Sequence, residues 1–131
     1  MRKFRWLQYD LSMFIAGGPI KNAVMGSFVL SRQLMIPPNA PDSRVLAQTA
    51  GSTGNYTMYL KQFLASDNYA SSTIVGSIYF AQGNKTGVLT VTSGINFMQG
   101  DMLQVVTDDQ VPPEDLEDIT IVILGFSVLR T

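Results

Sequence analysis

The run DITIVILGFSVLR, residues 118–130, decides the fold. It alternates Ile119, Ile121 and Ile123 with Thr120, Val122 and Leu124. β-Branched side chains at this density suit a pleated strand better than a helix. Both alternating sets are apolar, as in a strand that is central in its sheet or covered by another subunit on its second face. An acidic residue precedes the run and Arg130 closes it. Upstream, MLQVV (102–106), VLTVT (88–92), IVGSIYF (74–80), VLAQT (45–49) and AVMGSFVLSR (23–32) carry the same apolar, partly β-branched signature. Tyr56, Met58 and Leu60 alternate with Thr57, Tyr59 and Lys61, a period of two. Helix signals are confined to PEDLED (113–118), where Pro and acids fit a first turn. Six residues make a turn or a 3-10 piece at most. About eight short strands, roughly ten to fifteen residues apart, predict an all-β fold, an antiparallel β-sandwich that is jelly-roll-like.

The breaks between these runs are clear. PPNAPD (37–42) admits no regular element. Phe80-Ala81-Gln82-Gly83 recurs as Phe97-Met98-Gln99-Gly100, each with a Gly able to take the positive φ of a tight turn. The echo is read as two similar hairpin corners. SDNYASST (66–73) is a polar connector.

Composition narrows the function. At 131 residues the chain is one domain's length and buries enough surface for a core without staples. It has no Cys and no His, which removes thiol nucleophiles, disulfides, zinc sites and imidazole bases. A net charge of -1 argues against nucleic-acid binding by counterion release. Only 15% of residues are charged, and a charge-poor surface tends to associate, so a homo-oligomer is expected. No apolar window is long enough for a membrane span.

Six acids, Asp108, Asp109, Glu114, Asp115, Glu117 and Asp118, crowd one turn. A solvated loop, a patch that meets a basic partner, and a calcium site on oxygen ligands are the three readings. No Asp-x-Asp-x-Asp-Gly loop is present, so no metal is assigned. Paired carboxylates can cut glycosidic bonds, yet an exposed turn offers neither a cleft nor a pKa split. Tyr56, Tyr59, Tyr69 and Tyr79 could stack on sugars, or could simply be half-buried packing. GSTG (51–54) lacks the Lys and spacing of a phosphate loop. No catalytic residue and no cofactor is assigned, and the chain is not expected to be an enzyme.

Three stretches together carry a resemblance: FVLSRQLMIPPNAPDSRVLAQTA (28–50), GSIYFAQGNKTGVLTVTS (76–93) and INFMQGDMLQVVTDDQVPPEDLEDITIVILG (95–125). The second has the form G-x-I-x-F-x-x-G-x-x-x-G, and the third F-x-x-G-D-x-L-x-V before an acidic Pro turn and a long last strand. YDLSMFIAGGPIKNAVM (9–25) fits as a lead-in strand with a Gly-Pro turn. The chain resembles a small β-sandwich family of tailed-bacteriophage virion proteins, found within tail-fibre chains and as free-standing reading frames. That family commonly has a tight Lys-Asn-Gly hairpin where this chain has Lys61-Gln62-Phe63-Leu64 and the longer connector. The resemblance implies a structural accessory protein of a bacteriophage virion, decorating or cementing the capsid shell, with the major capsid protein or other virion subunits as partners. The alternative is a tail-fibre or tail-tip module that trimerises and contacts the host surface.

Residues 1–22 are set apart as an extended N-terminal arm and lead-in strand, and residues 23–131 as the sandwich. Arg2, Lys3 and Arg5 interleave with Phe4, Trp6 and Leu7. Such an arm can lie on a neighbouring subunit, or fold back as an edge strand of its own domain. The candidate partner contacts are Arg2, Lys3, Phe4, Arg5 and Trp6 in the arm, and Glu114, Asp115 and Glu117 in the acidic turn.

Overall fold

A computed structural model describes the backbone of residues 4–130, with side chains for residue 8 and residues 10–127. The strands are β1 (Phe4–Ile15), β2 (Val24–Val29), β3 (Leu34–Ile36), β4 (Arg44–Thr49), β5 (Tyr56–Phe63), β6 (Ser72–Phe80), β7 (Thr86–Thr90), β8 (Ile95–Phe97), β9 (Met102–Val106) and β10 (Glu117–Arg130). Among the described residues the one helical piece is a 3-10 turn, Ala65–Asp67, in the polar connector between β5 and β6. Residues 113–116 form a turn, with the Leu116 N–H donating to the Pro113 carbonyl at 3.3 Å, and Glu117 and Asp118 already belong to β10.

Every pairing is antiparallel, and the all-β expectation holds. Hydrogen bonds join the strands into one sheet in the order β2-β9-β5-β6-β7-β4-β10-β3-β8, with β1 added to β10. The joint is β7, which pairs with β4 at Thr86 and Gly87 and with β6 from Val88 to Thr90. Val45, Ile121 and Ile123 from one side of that joint share a buried core with Tyr56, Ile78 and Leu103 from the other. The sheet therefore wraps around a single core. β10 is a central strand, with β1 along one edge and β4 and then β3 along the other.

Most pairings of the last five strands repeat those of the first five, although β3 on β10 has no counterpart. β1 on β10 corresponds to β6 on β5, and β2 on β9 to β7 on β4. β4 on β10 corresponds to β9 on β5, while β3 on β8 maps onto itself, with Met35 opposite Asn96 at the centre. β3 and β8 are three-residue strands, too short to show a period in the sequence.

The turns that leave these two strands match in detail. Ala40 N–H donates to the Pro37 carbonyl at 2.9 Å, as Asp101 N–H does to the Met98 carbonyl at 3.0 Å. The third position of each turn has positive φ, 61° at Asn39 and 91° at Gly100, a conformation open to Asn and Gly. Both third-position N–H groups reach across the molecule, Asn39 to the Val91 carbonyl and Gly100 to the Leu30 carbonyl, each at 2.7 Å.

Two readings of the sequence change here. The Phe80 corner, with Gly83 at φ 76°, is a hairpin between the paired strands β6 and β7. The Phe97 corner has the same local turn but joins β8 to β9, which do not pair with each other. The backbone from Phe4 to Ile15 takes the edge-strand position, paired with β10 over its whole length, so it does not extend as an arm away from the sheet. β2 does not hydrogen-bond to β1 as β7 does to β6. The Met13 thioether instead lies over Gly26, where an added Cβ would overlap it.

Candidate interaction surface

The acidic turn is built from carboxylates used one at a time. Asp108 Oδ1 accepts the Gln110 N–H at 2.9 Å, while its main-chain carbonyl accepts the Asn22 N–H at 2.8 Å. Asp118 has φ 56° and exchanges two hydrogen bonds with Gly17: Oδ1 accepts the Gly17 N–H, and its own N–H donates to the Gly17 carbonyl, both at 2.9 Å. Asp115 turns onto Ser52, accepting its N–H at 3.0 Å and its hydroxyl. The Ser52 hydroxyl, and then the Ser52 N–H, hold the Asp115 carboxyl below its ordinary pKa. Among the described residues no three acids gather around a point that could hold a metal ion. Glu114 and Glu117 remain exposed.

The candidate contacts are not brought together. Arg2 and Lys3 lie outside the described residues, and Phe4, Arg5 and Trp6 are placed by backbone alone. Arg5 is registered with Leu129, whereas Glu117 begins β10 at its other end. At about 3.3 Å per strand residue the basic start of β1 and the acidic turn are roughly 40 Å apart. They cannot form one contact patch.

The tyrosines do not form a platform either. Tyr56 is fully buried in the core, and Tyr69 donates its hydroxyl to the Gly100 carbonyl at 2.6 Å. Burial pushes the Tyr56 phenol above its ordinary pKa of 10. Its hydroxyl has no hydrogen-bond partner of good geometry. Neighbouring Thr107 gives its own hydroxyl hydrogen to the Ile20 carbonyl and accepts the Ala23 N–H at 2.9 Å.

A feature the sequence reading missed is the outward face of the sheet. Inward residues Ile15, Ile121, Val45 and Ile78 alternate with outward Phe14, Thr120, Leu46 and Tyr79. Register places Phe14 beside Thr120, Thr120 beside Leu46, and Leu46 beside Thr86. The next row holds Val122 beside Arg44, and Val88 beside Tyr79. Phe14 is 60% exposed, Leu46 53%, Val88 56% and Tyr79 38%. These two rows carry one charge, Arg44. The signal was present in the doublets Val45-Leu46 and Val88-Leu89, which put apolar side chains on both faces of strands that β10-style burial does not explain.

Neither a protein-family model nor a curated protein sequence matches the chain. Among solved structures it is similar to the crystal structure of the SPBc2 prophage-derived protein YomS, at 14% identity, with a TM-score of 0.37, covering 94% of this chain and 96% of that one. At that identity and score the likeness carries no functional argument.

Proposed function

We propose that the chain is a structural accessory protein of a bacteriophage virion, which decorates or cements the capsid shell through the outward face of its sheet. The observation that carries this is the pair of adjacent exposed rows that hold Phe14, Leu46, Val88 and Tyr79, with Arg44 as their one charge. Exposed apolar side chains grouped on one face of a charge-poor chain suit a surface that meets another protein. The resemblance of residues 9–130 to phage virion sandwiches supports a phage particle. Asp115 and Asp118 are engaged by Ser52 and Gly17, which leaves Glu114 and Glu117 as the exposed acids of the turn.

Purified particles, stripped of this protein and re-loaded, test the reading. The double variant Leu46→Asp, Val88→Asp places charges on exposed positions, so the protein should keep its melting temperature and fail to attach. Full attachment of that variant removes the face from the interface. Copy number separates the shell from the tail: hundreds per particle fit a capsid protein, and a few dozen or fewer assign the chain to a tail fibre or tip.

A further inference from the structure

The pairing of β3 with β8 maps onto itself with its two strands exchanged, so the halves are related by an approximate twofold rotation. That rotation carries β10 onto β5, β4 onto β9, β1 onto β6 and β7 onto β2. Both sets of strands turn their inner sides to the one core, so their outward sides lie on opposite faces of the molecule.

The two outward faces correspond row by row. On the first, Val122 lies beside Arg44, with Ser12 beyond it on β1. On the second, Tyr59 lies beside Val106, with Ser77 beyond it on β6. Val24 continues that row on β2, as Val88 continues the first on β7. The rows that follow hold Ile74 beside Lys61, and Phe63 beside Met102, with Val29 at the edge. Val24, Val29 and Ile74 are each more than half exposed, and Lys61 is the one charge on these three rows. Each face thus sets a single cation among apolar side chains. Neither Arg44 nor Lys61 pairs with an acid among the described residues.

We propose that the second face, centred on Tyr59, Lys61 and Phe63, binds a second copy of the shell subunit that the first face meets, so that one chain bridges two subunits across a local twofold of the shell. The bridge rests on the capsid reading. The rotation selects the occupant: a subunit surface that fits one face meets the same strand order on the other, and two identical subunits held this way are related by the matching twofold. Charge agrees. A subunit surface that is apolar, with an acid opposite the cation, suits both faces, whereas two copies of this chain set face to face would bring cations together with no acid for either. Because both contacts form at once, the second acts at the high effective concentration that the first creates.

Stripped particles re-loaded with the protein test the bridge, read as copies bound and as the temperature at which the shell releases its nucleic acid. The parent should attach and raise that temperature. Val24→Asp, Ile74→Asp changes exposed positions of the second face, so its melting temperature should hold, while the protein needed for half-loading should rise about a hundredfold. Forced to the parent's copy number at high concentration, it should leave the release temperature at that of stripped particles. Lys61→Glu should show the same two losses in milder form, and it carries the test if the double variant unfolds. Half-loading and strengthening equal to the parent's in the second-face variants overturn the bridge and leave the capsid reading standing. A parent that does not attach, or that attaches at a few dozen copies or fewer, overturns the capsid reading and the bridge with it.

Discussion

The half of the molecule formed by β1 to β5 and the half formed by β6 to β10 share most of their pairings, made from different side chains. Leu34, Met35 and Ile36 stand where Ile95, Asn96 and Phe97 stand. Asn39 answers Gly100, Ala40 answers Asp101, and Tyr56, opposite Phe80, answers Ile119, opposite Ile15. What the halves share is backbone: a positive φ at the third turn position and an N–H that crosses to the other half. Where they differ, the side chain is free to take an added task. The repeat is therefore specified by turn geometry and burial, and sequence identity plays little part in it.

The comparison is broken most severely in the core. Ile36 and Phe97 are equivalent and fully buried. Phe97→Ala should cost about 3–5 kcal/mol and Ile36→Ala about 2–5 kcal/mol. Denaturant titration should show one transition in both variants, because a single core joins the halves. Two separate transitions, or a loss under about 1 kcal/mol for Phe97, would mean that the halves do not share it.

Next in size is the difference between Ala40 and Asp101. The Asp101 carboxylate is buried and accepts the Ala65 N–H from Oδ1 and the Met98 N–H from Oδ2, each at 2.9 Å. It thereby anchors the β5–β6 connector to the turn before β9, a task for which Ala40 has no atoms. Asp101→Ala leaves two N–H groups unpaired and should cost roughly 2–4 kcal/mol. Asp101→Asn keeps one acceptor oxygen and should fall between that variant and the parent. A loss equal to that of an exposed-site substitution would show that water replaces the carboxylate.

These cases also show what sequence could and could not reveal. The long strands were legible: β9 falls on residues 102–106 as read, and the apolar run of β10 has the β-branched density that only a strand explains. β3 and β8 were not, since three residues cannot display a period. The echo at Phe80 and Phe97 was visible, yet the true counterpart of the Phe97 corner is Pro37-Pro38-Asn39-Ala40, which shares its turn and none of its residues. The outward face was hidden for a related reason. Which of two adjacent apolar residues points inward depends on register with neighbouring strands, and register is a property of the fold. Within the acidic cluster, sequence could not show that Asp115 and Asp118 turn onto Ser52 and Gly17 while Glu114 and Glu117 stay exposed, because those partners are distant in the chain.

The smallest difference, and the one with an opposite sign, is Tyr56 against Ile119. Ile119 fills its place with carbon alone. Tyr56 buries a hydroxyl that lacks a good partner, so the group gives up water and gains little in return. Tyr56→Phe keeps the ring and its packing, and should leave stability unchanged or raise it by about 1 kcal/mol, in contrast to the losses above. pH supplies an independent check. The folded protein holds the phenol proton more tightly than the unfolded chain, whose tyrosine titrates at 10.0. That preference contributes stability fully present below this pH, and the contribution is lost as pH rises through the elevated folded value. The parent should therefore lose stability above pH 10 faster than Tyr56→Phe, and the advantage of the variant should widen in alkali. Parallel curves across that range would mean that Tyr56 ionises as freely inside as outside. A clear loss on removing the hydroxyl at neutral pH would instead give Tyr56 a hydrogen bond, with Thr107 as the first group to test by Thr107→Val.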